Sequence, residues 1–166
     1  MNENIINESK AIKVLFQKLI NDNYKQKEYR DIYTIDILPK IVNNTIKYED
    51  FEANILKNNS YNILNKYVLA LSKLYLYDNH IFKLSQDEGE NLSFEPYDND
   101  INRFIDDIIY NLSVKNKRMD IIFNELKIGL EINSWCIKIM DFGCSDLRFV
   151  MDMFKSEGLF IRRPYF

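Results

Sequence analysis

The spacing of apolar residues predicts helices in the first part of the chain. It indicates a helix over residues 8–22, a short helix over 49–57 and a longer helix that begins at Ser60. Ser60 suits the N-cap, because its hydroxyl can accept a hydrogen bond from a backbone N–H of the first turn. The longer helix is apolar over most of its circumference, which is typical of a central, buried helix.

Two segments fit both a helix and a strand. In residues 29–46 the apolar side chains alternate from Tyr33 to Ile37 as in a strand, but the spacing from Tyr29 to Tyr33 also suits a helix. Pro39 breaks either element, and we favour a helix that ends before it. Residues 146–153 fit either a strand, paired with the one before it, or a helix.

The pattern changes near His80, where short alternating segments begin. From there we predict a hairpin of strands 81–84 and 92–94, helices from Asp98 or Asp100 to Leu112 and from Lys117 to Leu130, and strands at 134–140 and 159–161. Strict alternation of strands and helices is absent. The order therefore predicts an α+β fold, a helix-rich single globular domain over 1–166 with a small antiparallel sheet of about three to four strands, formed by the C-terminal half.

Composition places the chain among ordinary globular proteins of the cytoplasm. The start, Met1 to Asn4, lacks the basic region and apolar run of a secretory signal. No stretch approaches the roughly 20 apolar residues of a membrane helix, so we expect no membrane contact. We expect Cys136 and Cys144 to be reduced and buried, as is usual in the cytoplasm, although a hairpin could bring them together as a disulfide.

A search for catalytic motifs yields little. The four glycines, at 89, 129, 143 and 158, are too scattered for a phosphate-binding loop. His80 is the only histidine, and one histidine with two cysteines is a poor ligand set for zinc. We therefore predict no cofactor and no enzymatic activity.

Carboxylates offer the remaining chances for metal chemistry. Asp98 to Asn102 resembles the first half of a calcium-binding loop, but Arg103 stands where that loop needs glycine. Helix capping explains Asp98 and Asp100 better. Asp141 and Asp146 are the best remaining pair for the alternative function, a metal-dependent hydrolase or nuclease with dispersed Asp and Glu, although acids are also common in turns.

Negative charge is concentrated in one window, residues 87–107. Eight acids and one base, Arg103, give it a net charge of −7, whereas the whole chain carries −3 and the rest therefore +4. Such a run also occurs in solvated loops that only promote solubility. Asymmetry of charge bears on partners rather than on fold, and an acidic surface repels the phosphates of nucleic acids.

These properties predict a non-enzymatic, acidic protein-binding domain that neutralises a basic protein partner. Bacterial immunity proteins, antitoxins and phage-type inhibitors act in this way, and a structural homo-oligomeric subunit is a further alternative. Aromatic residues within a charged surface are typical interface anchors. The predicted partner-binding residues are Asp87, Glu88, Glu90, Glu95, Tyr97, Asp98, Asp100, Asp106, Asp107 and Tyr110.

Overall fold

A computed structural model of the chain describes residues 32–37, 48–86, 92–97, 100–114, 117–133 and 135–163. The elements in chain order are β1 (Ile32–Asp36), α1 (Tyr48–Tyr77), β2 (Ile81–Gln86), β3 (Leu92–Pro96), α2 (Ile101–Ser113), β4 (Arg118–Phe123), β5 (Ile128–Asn133), β6 (Cys136–Asp141), α3 (Leu147–Ser156) and β7 (Phe160–Arg162). The fold is α+β, as the sequence predicts, but the described sheet has seven strands rather than three to four, and β1 comes from the N-terminal half. The predicted helix over 8–22 lies outside the described residues.

The strands form one antiparallel sheet of seven in the order β3-β2-β4-β5-β6-β1-β7. Side chains on successive residues of a strand point to opposite faces. One face carries Ile121 of β4, Leu130 of β5 and Ile139 of β6, all fully buried in the main core with residues of the three helices. The helices therefore cover this face of the sheet. Ile122 and Met140 point the other way and form a second, smaller cluster.

The prediction of a helix over Lys117–Leu130 is wrong, because this segment is the β4–β5 hairpin. Strands in the middle of this sheet are buried on both faces, so apolar residues occur at consecutive positions such as Ile121, Ile122 and Phe123. Such a run also satisfies a helical spacing. Lys127 ends the connecting turn with a positive φ of 53°.

The favoured helix before Pro39 is also wrong where residues are described, because Ile32–Asp36 is a strand. Tyr33 and Ile35 point into the main core, so the alternating pattern was the informative one. In 146–153 the helical alternative is the observed one. The two helices predicted on either side of Ser60 form the single element α1, which is kinked at the non-helical residue Asn59.

Cys136 and Cys144 are free thiols and partly buried, so the disulfide alternative does not form. Among the described helices, none has the length and apolar character that crossing a membrane requires.

Asp78 joins the end of α1 to the β4–β5 turn. Its carboxylate is 1% exposed and accepts hydrogen bonds from the backbone N–H groups of His80, Glu125 and Leu126, at 3.0, 2.9 and 2.9 Å. Burial raises the pKa of Asp78, although these N–H groups act in the opposite direction. The same turn also carries an exposed contact of 2.8 Å between His80 Nδ1 and Glu125 Oε1.

The Asp78→Ala variant should unfold more easily than the wild type. It loses about 3 kcal/mol, because three backbone N–H groups lose a charged acceptor at a partly buried site. Urea unfolding followed by circular dichroism measures the loss. Asn79→Ala, at the exposed neighbour, should stay within about 0.5 kcal/mol of the wild type, and an equal loss in both variants would contradict this role of Asp78.

Candidate functional site

Helix α2 organises the region where the predicted partner-binding residues lie. Asp100 is its N-cap, and Asp100 Oδ1 accepts hydrogen bonds from the backbone N–H groups of Asn102 and Arg103, at 3.0 and 3.2 Å. The buried face of the helix carries Phe104, Ile108, Asn111 and Leu112. The exposed face carries Asn102, Arg103, Asp106, Tyr110 and Ser113.

Asp107 holds one side of α2 against the β2–β3 hairpin. Its carboxylate accepts a hydrogen bond from the Tyr97 hydroxyl and lies 3.0 Å from Lys83 Nζ. Burial alone would raise the pKa of Asp107, but the hydrogen bonds from Tyr97 and Lys83 and the charges of Lys83 and Arg103 bring it below its ordinary value. Burial and the bond to Asp107 together raise the pKa of Tyr97.

An open pocket of about 230 Å³ lies beside this contact, lined by Lys83, Glu95, Pro96, Tyr97 and Arg103. Lys83 and Glu95 are direct partners across β2 and β3, so their side chains share the helix-covered face of the sheet. The pocket has two cations and one carboxylate in its wall, and the ion-paired Asp107 adjoins it. Charges of opposite sign are thus interleaved here.

Four of the predicted acids are described, and all lie on α2, at its N-cap or on the adjacent strand β3. We call Glu95, Asp100, Asp106 and Asp107 the α2 acidic surface. The other four predicted acids, Asp87, Glu88, Glu90 and Asp98, lie outside the described residues.

Members of the α2 acidic surface differ in how they are used. Asp107 is ion-paired within the chain and Asp100 caps the helix. Glu95 and Asp106 are exposed, and within the described part of the chain neither makes a hydrogen bond or an ion pair. These two carboxylates are therefore available to another molecule.

The two predicted aromatic anchors have different surroundings. Tyr97 is 7% exposed and packs edge-on against Phe104, with ring centroids 5.4 Å apart, so its ring belongs to the core. Tyr110 is 48% exposed on the outer face of α2. The ammonium group of Lys117 lies 5.7 Å from the centroid of the Tyr110 ring.

A second charged group lies on the opposite face of the sheet, where the sequence analysis placed nothing. Asp120 of β4 and Glu131 of β5 are direct cross-strand partners, and Glu131 is also the partner of Lys138 on β6. The two carboxylates are only 8% and 2% exposed. The Lys117–Leu130 helix prediction hid this pair, because only strand register reveals that the two residues face each other.

Internal contacts neutralise this central charged group. Arg118 binds Asp120 through two contacts, at 2.8 and 2.9 Å, and Lys138 Nζ lies 3.0 Å from Glu131 Oε1. The same oxygen accepts a hydrogen bond of 2.7 Å from Asn133. Burial raises the pKa of Asp120, although Arg118 acts against this shift. Two carboxylates and two cations thus form a compensated network, as buried charges require.

The pair suggested for metal chemistry, Asp141 and Asp146, has structural contacts. Asp141 Oδ1 accepts hydrogen bonds from the backbone N–H groups of Gly143 and Cys144, at 2.8 and 2.7 Å. Asp146 is the N-cap of α3 and accepts a bond from Phe149 N. Across the described ranges, no three His, Cys, Asp or Glu side chains are grouped so that they could hold a metal ion.

Replacing Asp107 should change how stability depends on pH. The pKa of Asp107 is lower in the folded chain, so its contribution is complete at neutral pH and is lost as the pH falls through the ordinary carboxyl range, about pH 4. Wild type should be more stable than Asp107→Asn at pH 7, and the gap should narrow towards pH 3. Urea unfolding at four pH values measures the difference in free energy of unfolding between the two proteins. A difference that stays constant or grows on acidification would contradict the lowered pKa of Asp107.

Replacing Arg118 should destabilise the fold through the carboxylates that it leaves behind. Arg118→Met retains the aliphatic stem but leaves buried Asp120 without its cation, at a cost of about 3 kcal/mol. Arg148→Met is the matched control, because Arg148 is 93% exposed and its contact with Asp152 is long. The control should cost less than about 1 kcal/mol in thermal or urea unfolding. Equal losses of stability in the two variants would mean that the network of Arg118, Asp120, Glu131 and Lys138 stabilises the fold no more than an exposed ion pair does.

Comparison of the chain with protein-family models, with curated proteins and with solved structures finds no match. The function proposed below is therefore based on the charges, contacts and exposed side chains of the described residues.

Proposed function

We propose that the chain is a cytoplasmic, non-enzymatic protein-binding domain that takes up a basic protein partner on the α2 acidic surface. In this role it neutralises its partner, as immunity proteins, antitoxins and phage-type inhibitors do. One observation carries the proposal: Glu95 and Asp106 are exposed and form no hydrogen bond or ion pair with the described residues, and Asp106 lies one helical turn from the half-exposed ring of Tyr110.

Electrostatics favours a cationic protein as the partner. Glu95, Asp100 and Asp106 supply exposed negative charge, whereas Asp107 adds little because Lys83 already neutralises it. Opposite charges on two surfaces accelerate their encounter and select against partners of the wrong sign. Phosphates of a nucleic acid would be repelled by the same residues.

The helix also supplies a rigid support for the contact. Phe104, Ile108 and Leu112 are fully buried and fix the inner side of α2, so the outer side needs little reordering when a partner binds. Side chains held on a regular helix lose less conformational freedom on binding than those of a mobile loop. Tyr110 adds aromatic area of the kind that is enriched at binding hot spots.

The decisive variant removes the two unpaired carboxylates. In Glu95→Gln/Asp106→Asn, affinity for the partner should fall about tenfold, since two exposed charge pairs together contribute roughly 1.4 kcal/mol. Wild type, this variant and a control are immobilised and used to capture proteins from a lysate of the source organism. Captured proteins are identified by mass spectrometry, and affinity is then measured with the purified partner over a range of salt concentrations.

The control, Asp50→Asn/Asp152→Asn, removes the same number of exposed carboxylates from α1 and α3. The proposal predicts one basic protein retained by wild type and control, lost with the double variant, and bound more weakly as salt rises. Retention of the same proteins by all three forms, or no protein specific to the wild type, would contradict it.

A further inference from the structure

We infer that the outer face of α2 recognises an arginine side chain of the partner in preference to a lysine. This inference rests on the proposed function and specifies the chemistry of the bound cation. The feature that carries it is the pairing of one unpaired carboxylate, Asp106, with one exposed aromatic ring, Tyr110, on the same helical face.

Helical geometry brings these two side chains together. Asp106 and Tyr110 are four residues apart in α2, and residues at that spacing are neighbours on a helix surface, with Cβ atoms about 6 Å apart. Asn102 and Ser113 continue the face on either side with uncharged groups. Arg103 also lies on the exposed face of α2, and it lines the pocket with Lys83 and Tyr97.

The Tyr110 ring already accepts a cation in the free chain. Lys117, an exposed residue directly before β4, places its ammonium group 5.7 Å from the ring centroid, which is within the range of a cation–π contact. This contact involves an exposed lysine and contributes little, so an incoming cation can replace it. The ring is thus a cation site whose resident ligand comes from the chain itself.

Arginine suits this pair better than lysine for two physical reasons. Its guanidinium group is flat and weakly hydrated, so it can lie on the Tyr110 ring while its N–H groups donate to the Asp106 carboxylate. A lysine ammonium is compact and strongly hydrated, and it loses more hydration when it contacts both groups. A partner with an arginine at the centre of its basic surface therefore fits α2 best.

Two labelled peptides, hexa-arginine and hexa-lysine, separate this inference from simple charge attraction. Their affinities are measured by fluorescence anisotropy at about 50 mM salt, where exposed charges still interact over more than about 10 Å. Wild type should bind hexa-arginine about fivefold more tightly than hexa-lysine, as expected from one exposed cation–π contact. Lys117→Ala should bind hexa-arginine about twofold more tightly than wild type, because the resident cation is gone.

The variants of Tyr110 test the ring directly. Tyr110→Leu should bind both peptides equally, whereas Tyr110→Phe, which retains the ring, should keep most of the preference. Tyr61→Leu is the control, since Tyr61 is 74% exposed on α1, and it should behave as wild type. Tyr110 is exposed, so these forms should keep the wild-type melting temperature.

Each outcome decides one point. A wild type that binds both peptides equally, binds neither, or keeps its preference in Tyr110→Leu overturns the arginine inference. The proposed function is judged separately, by whether Glu95→Gln/Asp106→Asn loses the captured protein. A captured partner that is lost with that variant but unaffected by Tyr110→Leu would leave the proposed function standing and remove only the arginine site.

Discussion

The contact of Asp107 with Tyr97 and Lys83 acts together with the buried apolar face of α2 to orient this helix on the sheet. It ties the helix to the β2–β3 hairpin through a carboxylate that receives both a hydroxyl and an ammonium group. With this contact and the apolar face of the helix directed inward, Asp106, the residue before Asp107, lies on the exposed side of α2. The proposed binding surface therefore adjoins a carboxylate, Asp107, that is ion-paired within the chain.

Among the described residues, most acids have contacts that build the fold, whereas Glu95 and Asp106 make no hydrogen bond or ion pair with another described residue. Three carboxylates accept hydrogen bonds from backbone N–H groups at the ends of helices or at turns: those of Asp78, Asp100 and Asp146. Asp120 and Glu131 are buried and neutralised, Asp120 by Arg118 on the same strand and Glu131 by Lys138 on the adjacent strand β6. The number of acidic residues therefore overstates the negative charge that the described surface has free, because many of these carboxylates already have partners within the chain.

Sequence patterns were sufficient for α2, which buries one face. Helix α2 shows a regular apolar stripe and an Asp cap, and both its bounds and its exposed residues could be predicted within a few positions. The β4–β5 hairpin could not, because burial on both faces of the sheet removes the alternation that marks a strand. Missing that hairpin also meant missing the Asp120–Glu131 pair.

Some features of the candidate site could be predicted from the sequence, and others could not. The charge window is the basis of the proposed surface, and Asp106 and Tyr110 are exposed as predicted from the helical stripe. Tyr97 could not be assigned to the core from sequence, because it follows β3 and its direction depends on how the hairpin packs under α2. The pairing of Asp107 with Lys83 is equally invisible, since these residues are 24 positions apart.

The row of charges on the far side of the sheet has a consequence for the assembly of the chain. Asp120, Glu131 and Lys138 occupy matching positions on β4, β5 and β6. A shift in register of one residue between two of these strands would direct a carboxylate into the hydrophobic core beneath the helices. It would also separate that carboxylate from its cation. A shifted register would therefore lower the stability of the sheet, and the row of charges favours the observed register of the central strands.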